Sequence, residues 1–145
     1  RLPVVLTQEE VAQVLSQLPG TPRLMTSLLY GAGLRLMACV RLRVKDLDFP
    51  YAQITVYDGK GAQDRVTVLP QTLIEPLQRQ LATTRALHEE DLAAGYGEGY
   101  LPYAFDRKDP GAATSWAWQY VFPASQRSLD PRAGKERRHH LSESV

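Results

Sequence analysis

Cysteine is almost missing from this sequence: Cys39 is the single one in 145 residues. A lone thiol excludes an internal disulfide, and with it any cysteine-based zinc framework. Its apolar neighbours Leu36, Met37 and Val40 predict a buried free thiol, as a reducing cytoplasm would keep it. Long apolar runs are lacking too. No stretch approaches the roughly 20 residues that cross a bilayer, and Arg1-Leu2-Pro3-Val4-Val5 has no signal-peptide core, so no membrane role is expected. Nor is there an excess of one charge, since 17 Lys and Arg against 16 Asp and Glu leave a net charge of +1. Nucleic-acid binding, if present, must rest on local clustering rather than on a basic domain as a whole.

What is present reads as one folded domain. An apolar content of 43% with 23% charged residues is that of an ordinary globular chain, long enough for one core and too short for two. Thr7-Gln8-Glu9-Glu10 forms a capping box, with Val11, Val14, Leu15 and Leu18 at helical spacing until Pro19-Gly20. Thr21-Pro22 restarts a helix as N-cap and first residue, with Leu24, Leu28 and Leu29 on its apolar face, ended by Gly31-Ala32-Gly33. A short helix from Leu36 to Leu42 is expected to turn Leu36, Val40 and Met37 inward.

The period then changes from helix to strand. Asp46 to Phe49, Gln53 to Tyr57 and Arg65 to Leu69 predict a small three-stranded antiparallel sheet, with Asp58-Gly59-Lys60-Gly61 turning the second hairpin. Ile54 and Val56 are expected to share a buried face with Val66 and Val68. From Thr72 to Ala94, Leu73, Ile74, Leu77 and Leu81 mark a long amphipathic helix stopped by Gly95. Gly95, Gly97 and Gly99 resemble a phosphate loop only superficially, because no strand precedes them. A helix is expected near Ala112 to Trp118, and loop from Pro123 onward. That tail is a local basic patch, with Arg127, Arg132, Lys135, Arg137 and Arg138 against Asp130 and Glu136, joined by His139 and His140.

Taken alone, Arg35 is a surface arginine after a glycine turn, and Lys60 a solvated turn lysine. In context, Gly33-Leu34-Arg35, then Leu42-Arg43-Val44-Lys45-Asp46-Leu47-Asp48, then a hairpin with Lys60 and Asp64-Arg65 resemble the tyrosine recombinase family in order and spacing. The resemblance implies an α+β fold, mainly helical with a small three-stranded antiparallel sheet. It implies that Arg35 binds the scissile phosphate and that Lys60 assists proton transfer to the leaving hydroxyl, without metal or nucleotide cofactor. The chemistry suits those residue types. Attack on a phosphodiester builds charge on two non-bridging oxygens that a planar guanidinium binds together, while a flexible ammonium supplies a proton.

Three later segments resemble integron integrases in particular: Leu69-Pro70-Gln71, the run from Arg85 to Gly97, and Trp116 to Ala124. The resemblance covers essentially the whole chain and implies a bacterial cytoplasmic protein that binds DNA, including folded single-stranded hairpins. An insertion in that subfamily grips bases protruding from the hairpin. Gripping a base needs an aromatic or imidazole platform beside positive charge. Trp118, Trp116, Pro131, Arg137, Arg138, His139 and His140 are the candidates, with Trp118 preferred over Trp116 for stacking and one of the two tryptophans expected in the core. With no cysteine or third histidine near His139-His140, no metal is expected there.

The organisation expected is a single partial catalytic domain over 1–145. Residues 1–70 hold the helices and sheet with Arg35 and Lys60; residues 71–145 hold the long helix and the insertion with its basic tail. Ala38 stands where the family usually has an acidic residue, three positions after the first arginine. The family's His-x-x-Arg motif and tyrosine nucleophile are expected after the basic segment, and none of the seven tyrosines fills that place. The 145 residues alone are therefore expected to be inactive in strand cleavage, leaving a recombinase fragment, a non-catalytic DNA-binding module or an inert remnant. Apolar faces around Val11, Leu28 and Leu81 are expected to stay open and promote self-association.

Overall fold

A computed structural model describes residues 7–18, 20–57, 64–101, 109 and 111–142, the side chains of residues 14 and 15 excepted. The expected turn at Asp58-Gly59 and the candidate Lys60 lie outside the described residues, as do Pro19 and the side chains of Val14 and Leu15.

Helix α1 (Gln8–Gln17) starts from the capping box read in the sequence. The Thr7 N–H donates to Glu10 Oε1 at 3.2 Å, and the Glu10 N–H donates to Thr7 Oγ1 at 3.1 Å. Helix α2 (Gly20–Ala32) begins one residue ahead of the expected Thr21 cap and buries Leu24, Met25, Leu28 and Ala32 along one face. Gly33, at φ 68°, releases the chain from α2 in a conformation that a side chain would disfavour. The short α3 (Leu36–Val40) turns Cys39 and Val40 fully inward. Leu36 is 42% exposed rather than buried. A five-residue helix has one buried edge, and residues 39 and 40 occupy it.

Strands β1 (Leu47–Asp48), β2 (Gln53–Val56) and β3 (Arg65–Val68) form an antiparallel sheet in that order. Ile54 and Val56 are buried as expected, but Val66 and Val68 are 59% and 68% exposed. The register explains this: Ile54 lies opposite Thr67 and Val56 opposite Arg65. Residues directly opposite share a face, so the β3 valines stand on the other side with Thr55 and Gln53.

A single 3-10 turn (Gln71–Leu73) leads into α4 (Ile74–Ala93). Leu77 is fully buried, with Leu73, Ile74 and Leu81 packed against the same core. Tyr96 N–H donates back to Asp91 O at 2.7 Å across Gly95, whose φ is 87°. The helix expected over Ala112 to Trp118 is two 3-10 turns, Ala112–Thr114 and Trp116–Trp118. Beyond them, residues 119–124 run between two flanking segments. Val44 N–H donates to Gln119 O and Val121 N–H to Leu42 O on one side; Leu141 N–H donates to Phe122 O and Ala124 N–H to His139 O on the other. The tail expected as loop contains a hairpin, β4 (Ser128–Asp130) with β5 (Lys135–Arg137), closed by Asp130 and by Gly134 at φ 65°.

One apolar core joins α2, α3 and the sheet to Leu77, Val121 and Phe122. The apolar faces expected to stay open are covered within the chain: Val11 and Leu28 are buried, and Leu81 packs on the core. Cys39 is the buried free thiol foreseen, its pKa pushed up to about 12 by burial.

Candidate nucleic-acid interface

Arg35 sits immediately before α3, with extended backbone angles of φ −76° and ψ 154°, and its carbonyl accepts the Cys39 N–H at 2.9 Å. The buried pair Cys39 and Val40 fixes the helix, and the Arg35 side chain projects from its exposed start. Among the described residues the guanidinium meets no carboxylate. Ala38, three positions on, is half-buried against the core.

The central cation of the described structure is Arg43, which the sequence reading did not single out. Its Nη1 donates to Trp118 O at 2.6 Å, and its Nη2 donates to Tyr100 O at 2.6 Å and to Tyr120 Oη at 3.2 Å. The guanidinium carbon lies 4.5 Å from the Tyr120 ring centroid and 5.3 Å from that of Trp118. Burial pulls the Arg43 pKa down, partly opposed by the charges of Tyr120 and Asp46. The Arg43 N–H also donates to Asp46 Oδ2 at 2.9 Å, closing a turn in which Asp46 is buried. Burial raises the Asp46 carboxyl, against the lowering effect of that N–H and of Lys45. The one visible signal was an arginine flanked by Leu42 and Val44, three residues ahead of an aspartate.

A polar stripe on α4 receives the later segments. Gln80 Nε2 and Thr84 Oγ1 both donate to Val121 O, at 3.0 and 3.1 Å. His88 Nε2 lies 2.9 Å from Thr114 O. Trp116 is half-buried with its ring 6.1 Å from the His88 ring and 5.6 Å from the Arg85 guanidinium. Trp118 is also half-buried, packed on Leu101, Ala112 and Ala113, so the two tryptophans have separate surroundings and neither is fully in the core.

The basic tail is laced to carboxylates. Arg138 donates to both oxygens of Asp91, which also accepts from Arg127 Nη1 at 2.9 Å. The Arg138 hydrogen bonds hold the Asp91 carboxyl below its ordinary range despite the burial that opposes them. Arg132 and Arg137 converge on Asp130, and the Arg132 hydrogen bonds above all pull its pKa down to about 2. Arg127 and Arg132 also lie over Tyr96 and Tyr100, at 4.0 and 3.6 Å.

Four of the candidates are brought together. Pro131, Arg137, Arg138 and His139 line an open cavity of about 330 Å³, with Tyr100 and Arg132 on its wall. The Arg137 Nε is buried with no partner among the described residues. His140 adjoins the group, its ring 4.0 Å from that of His139 and tilted 35° to it, and the imidazoles of His140 and His139 meet the Tyr120 ring edge to face at 5.3 and 5.9 Å. Burial, then the charge of His140, lowers the His139 pKa. Among the described residues no group of three or more His, Cys, Asp or Glu is placed to hold a metal ion. No described helix is long and apolar enough to cross a membrane.

Residues 4–143 match the phage integrase family. The chain belongs to that family. It is 48% identical over 141 residues to proteins from Escherichia coli and Pseudomonas aeruginosa called integrase/recombinase, covering 97% of this chain and 42% of each relative. It is 46% identical over 85 residues to the tyrosine recombinase XerA of Thermococcus onnurineus, covering 57% of this chain and 30% of that one. Among solved structures, a XerA recombinase superposes with a TM-score of 0.52 at 24% identity, over 57% of this chain and 30% of that chain. This likeness shows the fold: an α+β tyrosine-recombinase catalytic domain in part, helical with a small three-stranded antiparallel sheet.

Proposed function

We propose that this chain is the part of an integron integrase that binds the scissile phosphate and the folded recombination site, within a protein that cuts and rejoins DNA through a phosphotyrosyl intermediate. The observation that carries the proposal is the exposed Arg35, whose backbone is set at the start of α3 by the buried Cys39 and Val40. A planar fork held on a rigid element binds two phosphate oxygens as negative charge builds on them. Lys60 supplies the proton to the leaving hydroxyl. Neither role needs a metal or a nucleotide.

The integron reading is supported by coverage. The integrase/recombinase relatives match nearly all of this chain, whereas the XerA recombinase matches little more than half. The surplus fits a segment that the XerA protein does not share. In this reading Trp118, Trp116, Pro131, Arg137, Arg138, His139 and His140 form the DNA-facing surface. His139 and Pro131 are the exposed walls of the cavity, and each base stacked on such a platform adds about 1–3 kcal/mol. Arg137 and Arg138 already hold Asp130 and Asp91, so they shape the wall and lend it positive potential.

Binding of hairpin-forming single-stranded DNA with unpaired bases, compared with a duplex of equal length over a range of salt, tests the proposal. The hairpin is expected to bind more tightly, with affinity falling as salt rises. Arg35→Ala is expected to reduce the salt slope by about one phosphate contact. Equal binding of both DNAs rejects the base-gripping role, and an unchanged slope in Arg35→Ala rejects the phosphate role.

A further inference from the structure

Lys45 lies at the surface, but its ammonium is held by more partners than an ordinary surface lysine has. Its side chain is 25% exposed, and its Nζ donates to Tyr57 Oη at 2.8 Å and to Asp46 Oδ1 at 3.1 Å. The same nitrogen lies 4.5 Å from the Tyr57 ring centroid and 4.7 Å from that of Trp118. One ammonium thus touches an aromatic ring from each of two distant parts of the chain. Trp118 belongs to the segment that docks on α4. Tyr57 is the first residue after β2, three positions before Lys60 in the sequence.

We propose that Lys45 is a positioning residue that couples the Trp118 segment to the end of β2, so that DNA engaged on that segment steadies the β2–β3 hairpin. The clamp is cationic by design of its partners. A cation attracts the Trp118 ring and the Tyr57 hydroxyl at once, whereas an apolar side chain of equal length would keep the packing and lose both attractions. Two further contacts tie the same turn to the same segment: Val44 N–H donates to Gln119 O at 2.9 Å, and Arg43 Nη1 holds the Trp118 carbonyl. A shift of Trp118 is therefore felt at Lys45, whose ammonium lies 4.7 Å from its ring centroid. Burial draws the Lys45 pKa down, but the Tyr57 hydroxyl and the Asp46 charge more than offset this, so the ammonium stays protonated.

The inference rests on the DNA-binding reading above for its purpose, but the coupling is measurable without DNA. The experiment is amide hydrogen exchange on the whole chain, read in peptides covering 53–57 and 64–68, with and without hairpin-forming single-stranded DNA. In Lys45→Met, exchange there is expected to be about three- to tenfold faster in the free protein. DNA protection of these amides, present in the wild type, is expected to vanish although the DNA still binds. Lys45→Arg keeps the cation and is expected to restore both. Tyr57→Phe removes only a hydroxyl from an exposed ring, and is expected to speed the same amides even if Lys45→Met fails to fold. Wild-type exchange in Lys45→Met, or in Tyr57→Phe when the first variant is unfolded, overturns the proposal. Absence of DNA binding by the wild type would remove the functional reading, while the DNA-free comparison still decides the coupling.

Discussion

Arg138 holds Asp91 through two parallel hydrogen bonds, Nε to Oδ2 at 2.8 Å and Nη2 to Oδ1 at 2.9 Å, across 47 positions of sequence. The pair joins the last turn of α4 to the segment that follows β5. Both side chains are largely withdrawn from solvent, 4% exposed for Asp91 and 13% for Arg138. Asp91→Asn leaves the Arg138 guanidinium enclosed without its counter-charge. The expected cost is about 3 kcal/mol, as for other enclosed ion pairs that lose one partner. Urea unfolding followed by tryptophan fluorescence checks it, and a change within error would show the pair to be a passive surface contact.

Acid is expected to destabilise the protein in two stages. His139 has its folded pKa below the ordinary value of 6.5, so the unfolded chain takes up the proton first. Stability therefore falls as pH drops below about 6.5 toward the folded value. Asp91 and Asp130 are also depressed, Asp130 to about 2 from 3.8, and their contribution is full above the unfolded value. It drains away as pH falls from about 4 toward 2. Melting temperature against pH is expected to show both declines, with His139→Gln flattening the upper one and Asp130→Asn the lower.

The sheet register makes a sharper comparison. Ile54→Ala opens a cavity under a fully buried side chain and is expected to cost about 2–5 kcal/mol. Val66→Thr and Val68→Thr, on the opposite and exposed face, are expected to change stability by no more than about 0.5 kcal/mol. Denaturation midpoints of the three variants distinguish this register from the one-residue slip that would place all four β-branched residues together.

Arg43→Met keeps most of the side-chain volume but strips donors from Trp118 O, Tyr100 O and Tyr120 Oη. Leaving such acceptors enclosed and unpaired costs about 1–3 kcal/mol each where water cannot reach them. A loss of about 3 kcal/mol is expected, with a red shift of tryptophan emission as Trp118 loosens. Wild-type emission and stability would show that water replaces the guanidinium at no cost.

Local signals in the sequence carried most of the first half of the fold. The capping box at Thr7, the glycine turn at Gly33 and the leucine rows of α2 and α4 act over a few residues, and each produced the element it predicts. The failures share a cause, which is distance along the chain. The Val66 and Val68 face depends on register against β2, set by residues outside the strand. The 3-10 turns Ala112–Thr114 and Trp116–Trp118 and the β4–β5 hairpin are held by His88, Arg43 and Asp91, all more than 25 positions away. Arg137 and Arg138 read as free positive charge because nothing local reveals that Asp130 and Asp91 are folded onto them. Arg35 was legible because it lies in a short motif; Arg43 and Lys45 were not, since their meaning comes from Trp118, Tyr120 and Tyr57.

The placement of residues 119–124 between Leu42–Val44 and His139–Leu141 has a consequence for synthesis. Val121 and Phe122 fill the centre of a core whose other walls come from α2, α3 and β2, and Leu141 closes over it. A chain leaving the ribosome from its first residue exposes those walls for the whole time needed to make and release residues 70 to 141. Completion of the core then waits on a closure of long sequence separation, which is slow. During that wait the nascent helices and sheet offer apolar surface to chaperones, or to one another on crowded polysomes.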